Sequence, residues 1–173
     1  MSATLKPKVL FIGFGHLAKS LLSKNLLNSV NIHALNSKGV IKNINLKKKI
    51  LNFNNDYKYI FLLVRPKTFL TSGNQFQKYL SKETLVISCM AGIKLSTIEK
   101  TLKSKKIVRI MPNVMALNNK SQTHIYMKNK NLFDSKLKKI LSTFGTIINV
   151  RNEDQINFAT SVFGSGPAFI AYI

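Results

Sequence analysis

The 173-residue sequence predicts an α/β fold, a mostly parallel sheet with helices on both faces. Three observations carry this. Short, continuous apolar runs rich in β-branched and aromatic residues alternate with stretches whose apolar residues recur at helical spacing. Glycine and proline stand at many of the joins. Apolar residues make up 45% of the chain, enough for a packed core and too much for a disordered one.

Residues 9–12 are a continuous apolar run, as a strand buried on both faces requires. Leu17, Ala18, Leu21, Leu22 and Leu26 then follow at helical spacing, and 30–35 reads as a second strand. Residues 38–56 are rich in Lys and Asn and carry no clear pattern. Residues 59–64 predict a buried strand closed by Pro66, and a helix is expected over about 68–80. The run 84–90 is the next strand, stopped by Gly92. Ser96 and Glu99 fit a capping box that opens a helix through Leu102. Strands are expected at 107–111, stopped by Pro112, and at 124–127. Phe133, Leu137, Ile140, Leu141 and Phe144 mark a helix, and 146–150 a final strand.

After Val150 the character changes. Residues 151–154 are polar, a helical pattern runs through Phe158 and Val162, and a small-residue stretch follows over 164–168. The last five residues are apolar with no stop signal. The expected organisation is a nucleotide-binding domain over 1–150, then the beginning of a helical domain over 151–173. An apolar ending of this kind fits a truncated product, a fragment, or a segment that packs into a partner.

Lys and Arg number 27 against 6 Asp and Glu, a formal charge of +21. The lysines are dispersed, and the tightest run is Lys47-Lys48-Lys49. That dispersal reads as a solvated surface and argues against a dedicated nucleic-acid site, which is denser or interleaved with aromatics. The charge raises affinity for any phosphorylated ligand in a salt-dependent way. Cys89 is the only cysteine, so no intrachain disulfide forms, and it reads as a core residue rather than a nucleophile. His16, His33 and His124 are too scattered for a zinc site, and no metal is expected. These features suit a reducing cytoplasm. No apolar run approaches the ~20 residues of a membrane span. Lys6 and Lys8 before the first apolar run resemble a signal peptide only faintly, since Gly13 and Gly15 break the run.

The chemistry-bearing motif is Gly13-Phe14-Gly15-His16-Leu17-Ala18, G-x-G-x-x-A. It directly follows a predicted strand and opens a predicted helix, which raises it above a plain glycine turn and predicts a Rossmann-type dinucleotide site. Gly13 permits the tight turn, Gly15 lets backbone approach a pyrophosphate, and Ala18 lets helix and strand pack closely. The helix N-terminus offers free N–H groups to phosphate. An NAD site usually carries an acid about 20 residues on, at the end of the second strand. Here that region reads Leu35-Asn36-Ser37-Lys38, and the first carboxylate in the chain is Asp56. Asn36 and Ser37 can donate to a 2′-phosphate and Lys38 adds a charge, so NADP(H) is expected in preference to NAD(H).

Further segments fall in a telling order: Val64-Arg65-Pro66, Ser88-Cys89-Met90-Ala91-Gly92-Ile93, Arg109-Ile110-Met111-Pro112-Asn113 and Gly164-Ser165-Gly166-Pro167-Ala168. With the glycine motif, their order and spacing resemble the pyrroline-5-carboxylate reductase family over essentially the whole chain. The Met-Pro-Asn turn and the Gly-Ser-Gly-Pro-Ala segment are the most specific pieces. The resemblance implies NADPH-dependent reduction of 1-pyrroline-5-carboxylate to proline, the last step of proline biosynthesis, by hydride transfer to a cyclic imine acid. It implies that Gly13, Phe14, Gly15, His16 and Leu17 hold pyrophosphate and that Asn36, Ser37 and Lys38 meet the adenosine ribose. Leu63, Val64, Arg65, Pro66, Met90 and Ala91 would line the nicotinamide side. Met111, Pro112 and Asn113 would lie by nicotinamide and substrate, and Gly164, Ser165 and Gly166 by the substrate carboxylate.

Departures accompany the resemblance. Arg65 stands where the family has Lys, Val114 and Met115 where it has Thr-Pro, and Asn157 and Phe163 where it commonly has an acid and a small residue. The family's helical domain dimerises, or assembles further, and supplies a catalytic threonine; that threonine lies beyond Ile173, so the catalytic residue is unknown here. The chain is therefore read as partial or truncated. The alternative reading is a non-catalytic NADP(H)-binding or regulatory homologue that has lost the helical domain.

Overall fold

The computed structural model describes residues 6–51, 54 and 56–165. In chain order the elements are β1 (Lys8–Ile12), α1 (His16–Ser20), α2 (Lys24–Ser29), β2 (Asn31–Leu35), β3 (Ile41–Asn43), β4 (Lys48–Ile50), β5 (Tyr59–Leu62) and α3 (Pro66–Ser72). There follow β6 (Leu85–Ser88), α4 (Leu95–Leu102), β7 (Ile107–Met111), β8 (Ser121–Tyr126), α5 (Ser135–Ser142), β9 (Gly145–Asn149) and α6 (Asp154–Ala159). The strands form one sheet in the order β4-β3-β2-β1-β5-β6-β7-β8-β9. Its central block, β2-β1-β5-β6-β7, is parallel throughout. β3, β4 and the β7–β8 pairing are antiparallel, and β9 runs parallel to β8.

The continuous apolar runs are explained by two cores, one on each face. Val9, Phe11, Tyr59 and Phe61 pack with Ala18, Leu26, Leu137 and Ile140 of α1, α2 and α5. Their neighbours Leu10, Ile12, Ile60 and Leu62 point the other way and pack with Phe69, Leu95 and Ile98 of α3 and α4. Strand residues alternate between faces, so a strand covered on both sides must be apolar at every position. α6 packs against β7 and β8. The fold is therefore the expected α/β, Rossmann-type architecture.

Four local expectations are corrected. The helix read from Leu17 to Leu26 is two helices, because Ser23 adopts an extended backbone and caps α2, its hydroxyl accepting from the Leu26 N–H at 3.2 Å. The unpatterned Lys/Asn stretch holds a hairpin, β3–β4. Asn45 ties this region down: its carboxamide accepts from the Ile32 N–H at 2.7 Å and donates to the Leu27 and Val30 carbonyls. The helix expected over 68–80 opens earlier, with Pro66 at its first turn, and tightens into a 3-10 segment over Gly73–Tyr79. A Cβ at Gly73 would lie 2.9 Å from the Phe69 ring, so this junction is built for close packing. The Ser96/Glu99 capping box does not form. The N-cap is Lys94, two residues before Ser96, and the Glu99 carboxylate pairs with Lys128 at 2.7 Å. The N-terminal N–H of Leu95 donates instead to Glu153, far away in the chain, at 2.5 Å.

Candidate dinucleotide-binding site

The parallel block aligns its carboxyl ends. Ile12 is registered with Leu35 and Leu62, Leu62 with Ser88, and Ser88 with Arg109. The segments that follow these residues therefore leave from one edge of the sheet. β1 lies between β2 and β5, where successive connections depart in opposite directions, and such a switch point opens a crevice.

A cleft of about 600 Å³ occupies that crevice. One side is the turn after β1: Ile12, Gly13, Phe14 and Gly15, joined by Leu63, Val64 and Arg65 after β5. Leu35, Asn36, Ser37 and Gly39 contribute from the end of β2. The remaining wall is Thr68, Ser72, Gln75, Phe76, Lys78 and Tyr79.

The two glycines have different physical reasons. Gly13 has φ +95°, and a Cβ there would stand 2.8 Å from both the carbonyl carbon and oxygen of Leu63. Its N–H donates to the Leu35 carbonyl at 3.0 Å, so the turn is stitched to both neighbouring strands. At Gly15 the backbone is extended (φ −90°, ψ −160°), and a Cβ would meet nothing within 4 Å. The protein does not need glycine at this second position for its own packing. The space that a side chain would take is cleft, as a ligand-approaching backbone requires.

Of the expected cofactor residues, the structure brings Gly13, Phe14, Gly15, Asn36, Ser37, Leu63, Val64 and Arg65 into the cleft wall. His16, Leu17, Lys38 and Pro66 adjoin it in sequence without lining it. The Asn36 carboxamide oxygen accepts from the backbone N–H groups of both Lys38 and Val40, at 2.9 and 3.0 Å, and so closes the turn after β2. Met90, Ala91, Met111, Pro112 and Asn113 stand farther along the same sheet edge, outside this cleft. Asn113 is occupied as a cap, its side-chain oxygen accepting from the Met115 N–H at 3.1 Å. Gly164 and Ser165 lie in a π-helical turn over Thr160–Ser165, whereas Gly166 and the side chain of Phe163 lie outside the described residues. Burial pushes the Cys89 thiol far above its ordinary value, which fits a core residue.

The Thr68–Tyr79 wall was missed by sequence reasoning. A signal existed: Thr68, Ser72, Gln75 and Tyr79 recur at helical spacing within the predicted helix, a semi-polar stripe beside its apolar face.

Under the Met90 loop lies a buried cation. Arg109 of β7, 1% exposed, donates to Glu153 at 2.6 Å and reaches the Met90 carbonyl at 3.4 Å. The Glu153 oxygen that accepts from Arg109 is the one that accepts from Leu95.

No family model matches the chain. It is 30% identical over 184 residues to the pyrroline-5-carboxylate reductase of Staphylococcus aureus, covering 96% of this chain and 66% of that protein. The similarity to pyrroline-5-carboxylate reductases thus runs along nearly the whole of this chain. The chain spans about 66% of the length of the curated reductases it matches. Among solved structures it resembles a Plasmodium falciparum pyrroline carboxylate reductase with NADP bound, with a TM-score of 0.73 and 24% identity over 95% of this chain and 64% of that one. A Coxiella burnetii member of the family gives a TM-score of 0.72 at 25% identity, over 95% of this chain and 66% of that one. Among the described residues no helix is long and apolar enough to cross a membrane.

Proposed function

We propose that residues 1–150 hold NADP(H) and that, together with a helical domain beginning at 151–173, they form a pyrroline-5-carboxylate reductase. The reaction is reduction of 1-pyrroline-5-carboxylate to proline. The observation that carries the reading is the Gly13/Gly15 turn at the switch point. One glycine is demanded by the fold, and the other leaves open space where a phosphate-bearing ligand would lie.

NADPH, when bound, supplies the hydride that the imine carbon accepts, and it is preferred to NADH. The chain's own part is positioning. The turn at Gly13, Phe14 and Gly15 receives the pyrophosphate through backbone N–H groups. Asn36 and Ser37 meet the adenosine ribose, where no acid repels a 2′-phosphate. Leu63, Val64 and Arg65 carry the dinucleotide toward Met90 and Ala91, with Met111, Pro112 and Asn113 next along the edge beside the substrate. Gly164, Ser165 and Gly166 belong to the region that takes the substrate carboxylate. Assembly as a homodimer or larger oligomer through the helical domain completes the site, and the setting is cytoplasmic.

The test is steady-state oxidation of NADPH with pyrroline-5-carboxylate, using the protein with its helical domain. Turnover is expected. Zero turnover alongside saturable NADPH binding would leave a cofactor-binding protein that is not an enzyme.

A further inference from the structure

Lys38, the cation closest in sequence to the adenosine ribose end, belongs to the Asn36 turn and does not line the cleft. The turn leaves the cleft wall there with neutral groups only, Asn36 and Ser37. None of the six acids of the chain lines the cleft. Four are paired elsewhere, with Lys8, Lys106, Lys128 and Arg109. Asp134 caps α5 and Asp154 opens α6. Among the described residues the wall holds two permanent cations, Arg65 and Lys78.

They come from different segments of the lining. Arg65 follows the Leu63 carbonyl that touches the Gly13 turn, which puts it by the pyrophosphate. Lys78 belongs to the opposite wall. Its ammonium lies 5.2 Å from the centroid of the Tyr79 ring. Tyr79 is buried in the same cluster as Leu35 and Ile41, the residues that flank the Asn36 turn. An aromatic ring beneath an ammonium limits the wandering of a long, flexible side chain.

Resting on the reading of this cleft as a dinucleotide site, we propose that Lys78 selects the phosphorylated cofactor. Its ammonium pairs with the phosphate monoester on the adenosine 2′-oxygen, across the cleft from the Asn36 and Ser37 donors. A monoester carries nearly two negative charges near neutral pH, so a single facing cation discriminates strongly against the plain hydroxyl.

The experiment titrates the whole chain with NADPH and with NADH, following cofactor fluorescence, which the absence of Trp keeps clear of protein background. Lys78→Gln is expected to weaken NADPH by about tenfold while leaving NADH within about twofold, and Lys78→Arg to restore the preference. The salt dependence of NADPH binding should flatten in Lys78→Gln. Lys82→Gln, which removes an equal charge at an exposed position outside the cleft, should change neither ratio nor slope. Equal weakening of both cofactors in Lys78→Gln, no weakening at all, or loss of preference in Lys38→Gln instead would overturn the proposal. A wild-type chain that binds neither cofactor would remove the dinucleotide reading itself. Saturable wild-type binding with an unmoved ratio in Lys78→Gln would remove only the role of Lys78.

Discussion

Arg109 and Glu153 meet at 2.6 Å although 44 residues separate them, and Arg109 is almost wholly buried. The pair joins β7, the start of α4 and the segment entering α6 in one contact. A lone guanidinium in that position has no water to turn to, so breaking the pair costs more than the pair itself contributes.

Glu153→Gln is therefore expected to lower unfolding free energy by about 3 kcal/mol. Glu83→Gln, which breaks the exposed pair with Lys106, should leave the urea midpoint unchanged. Equal, small effects from both would show that Arg109 finds other partners.

The glycines of the turn should separate stability from binding. Gly13→Ala must place a Cβ against the Leu63 carbonyl at positive φ, and about 2–4 kcal/mol of stability should be lost. Gly15→Ala should melt like the wild type yet weaken NADPH by about tenfold or more, since its methyl enters the cleft rather than the protein. A Gly15→Ala chain with unchanged cofactor affinity would put the pyrophosphate elsewhere.

Tyr59 is 1% exposed, and its hydroxyl has no hydrogen-bond partner among the described residues. Burial pushes its pKa up to about 12, with Asp134 adding to the rise. Tyr59→Phe removes an unsatisfied polar atom while keeping the ring, so stability should rise by about 1 kcal/mol. A loss of that size in the denaturation midpoint would reveal a water or other group on the hydroxyl.

His33 gives the pH dependence a direction. Burial lowers its pKa from 6.5, Lys8 lowers it further, and Asp56 partly offsets them. The ring is held by the Tyr57 hydroxyl at 2.9 Å, with Asn43 on its other nitrogen at 3.4 Å. The folded chain thus keeps the imidazole neutral where the unfolded chain would protonate it. Its stabilising contribution is fully present above the unfolded value and is lost as pH falls through the lowered folded one. His124, also lowered chiefly by burial, acts in the same sense. Stability should fall as pH is taken from about 7.5 to about 5, and less steeply in His33→Gln. An identical slope in that variant would assign the effect to other groups.

The sheet was legible because burial on both faces leaves continuous apolar runs such as Val9-Leu10-Phe11-Ile12. β3 and β4 were not, since three-residue strands carry too few positions for a period and are held by side chains such as Asn45. The same division runs through the site. The Gly13/Gly15 turn is local, so its six consecutive residues announce it. The Lys78 wall is assembled by folding across the cleft, and only a spacing within α3 and the 3-10 segment hinted at it. The turn after β2 is closed by the Asn36 side chain, which no spacing announced. Arg109 stood in a recognisable run, but its partner could not be read from spacing.

β4 is one of the two edge strands, paired among the described residues with β3 alone, and the positions there are Lys47, with φ +56°, then Lys48 and Lys49, all exposed. An open strand edge invites the edge of another molecule, and closely spaced like charges make two such edges repel. The shield is only as long as the electrostatic range of the solvent, about 10 Å at 0.1 M salt and about 3 Å at 1 M. Colloidal behaviour should follow: the chain stays dispersed in dilute buffer and begins to self-associate through this rim as salt is raised.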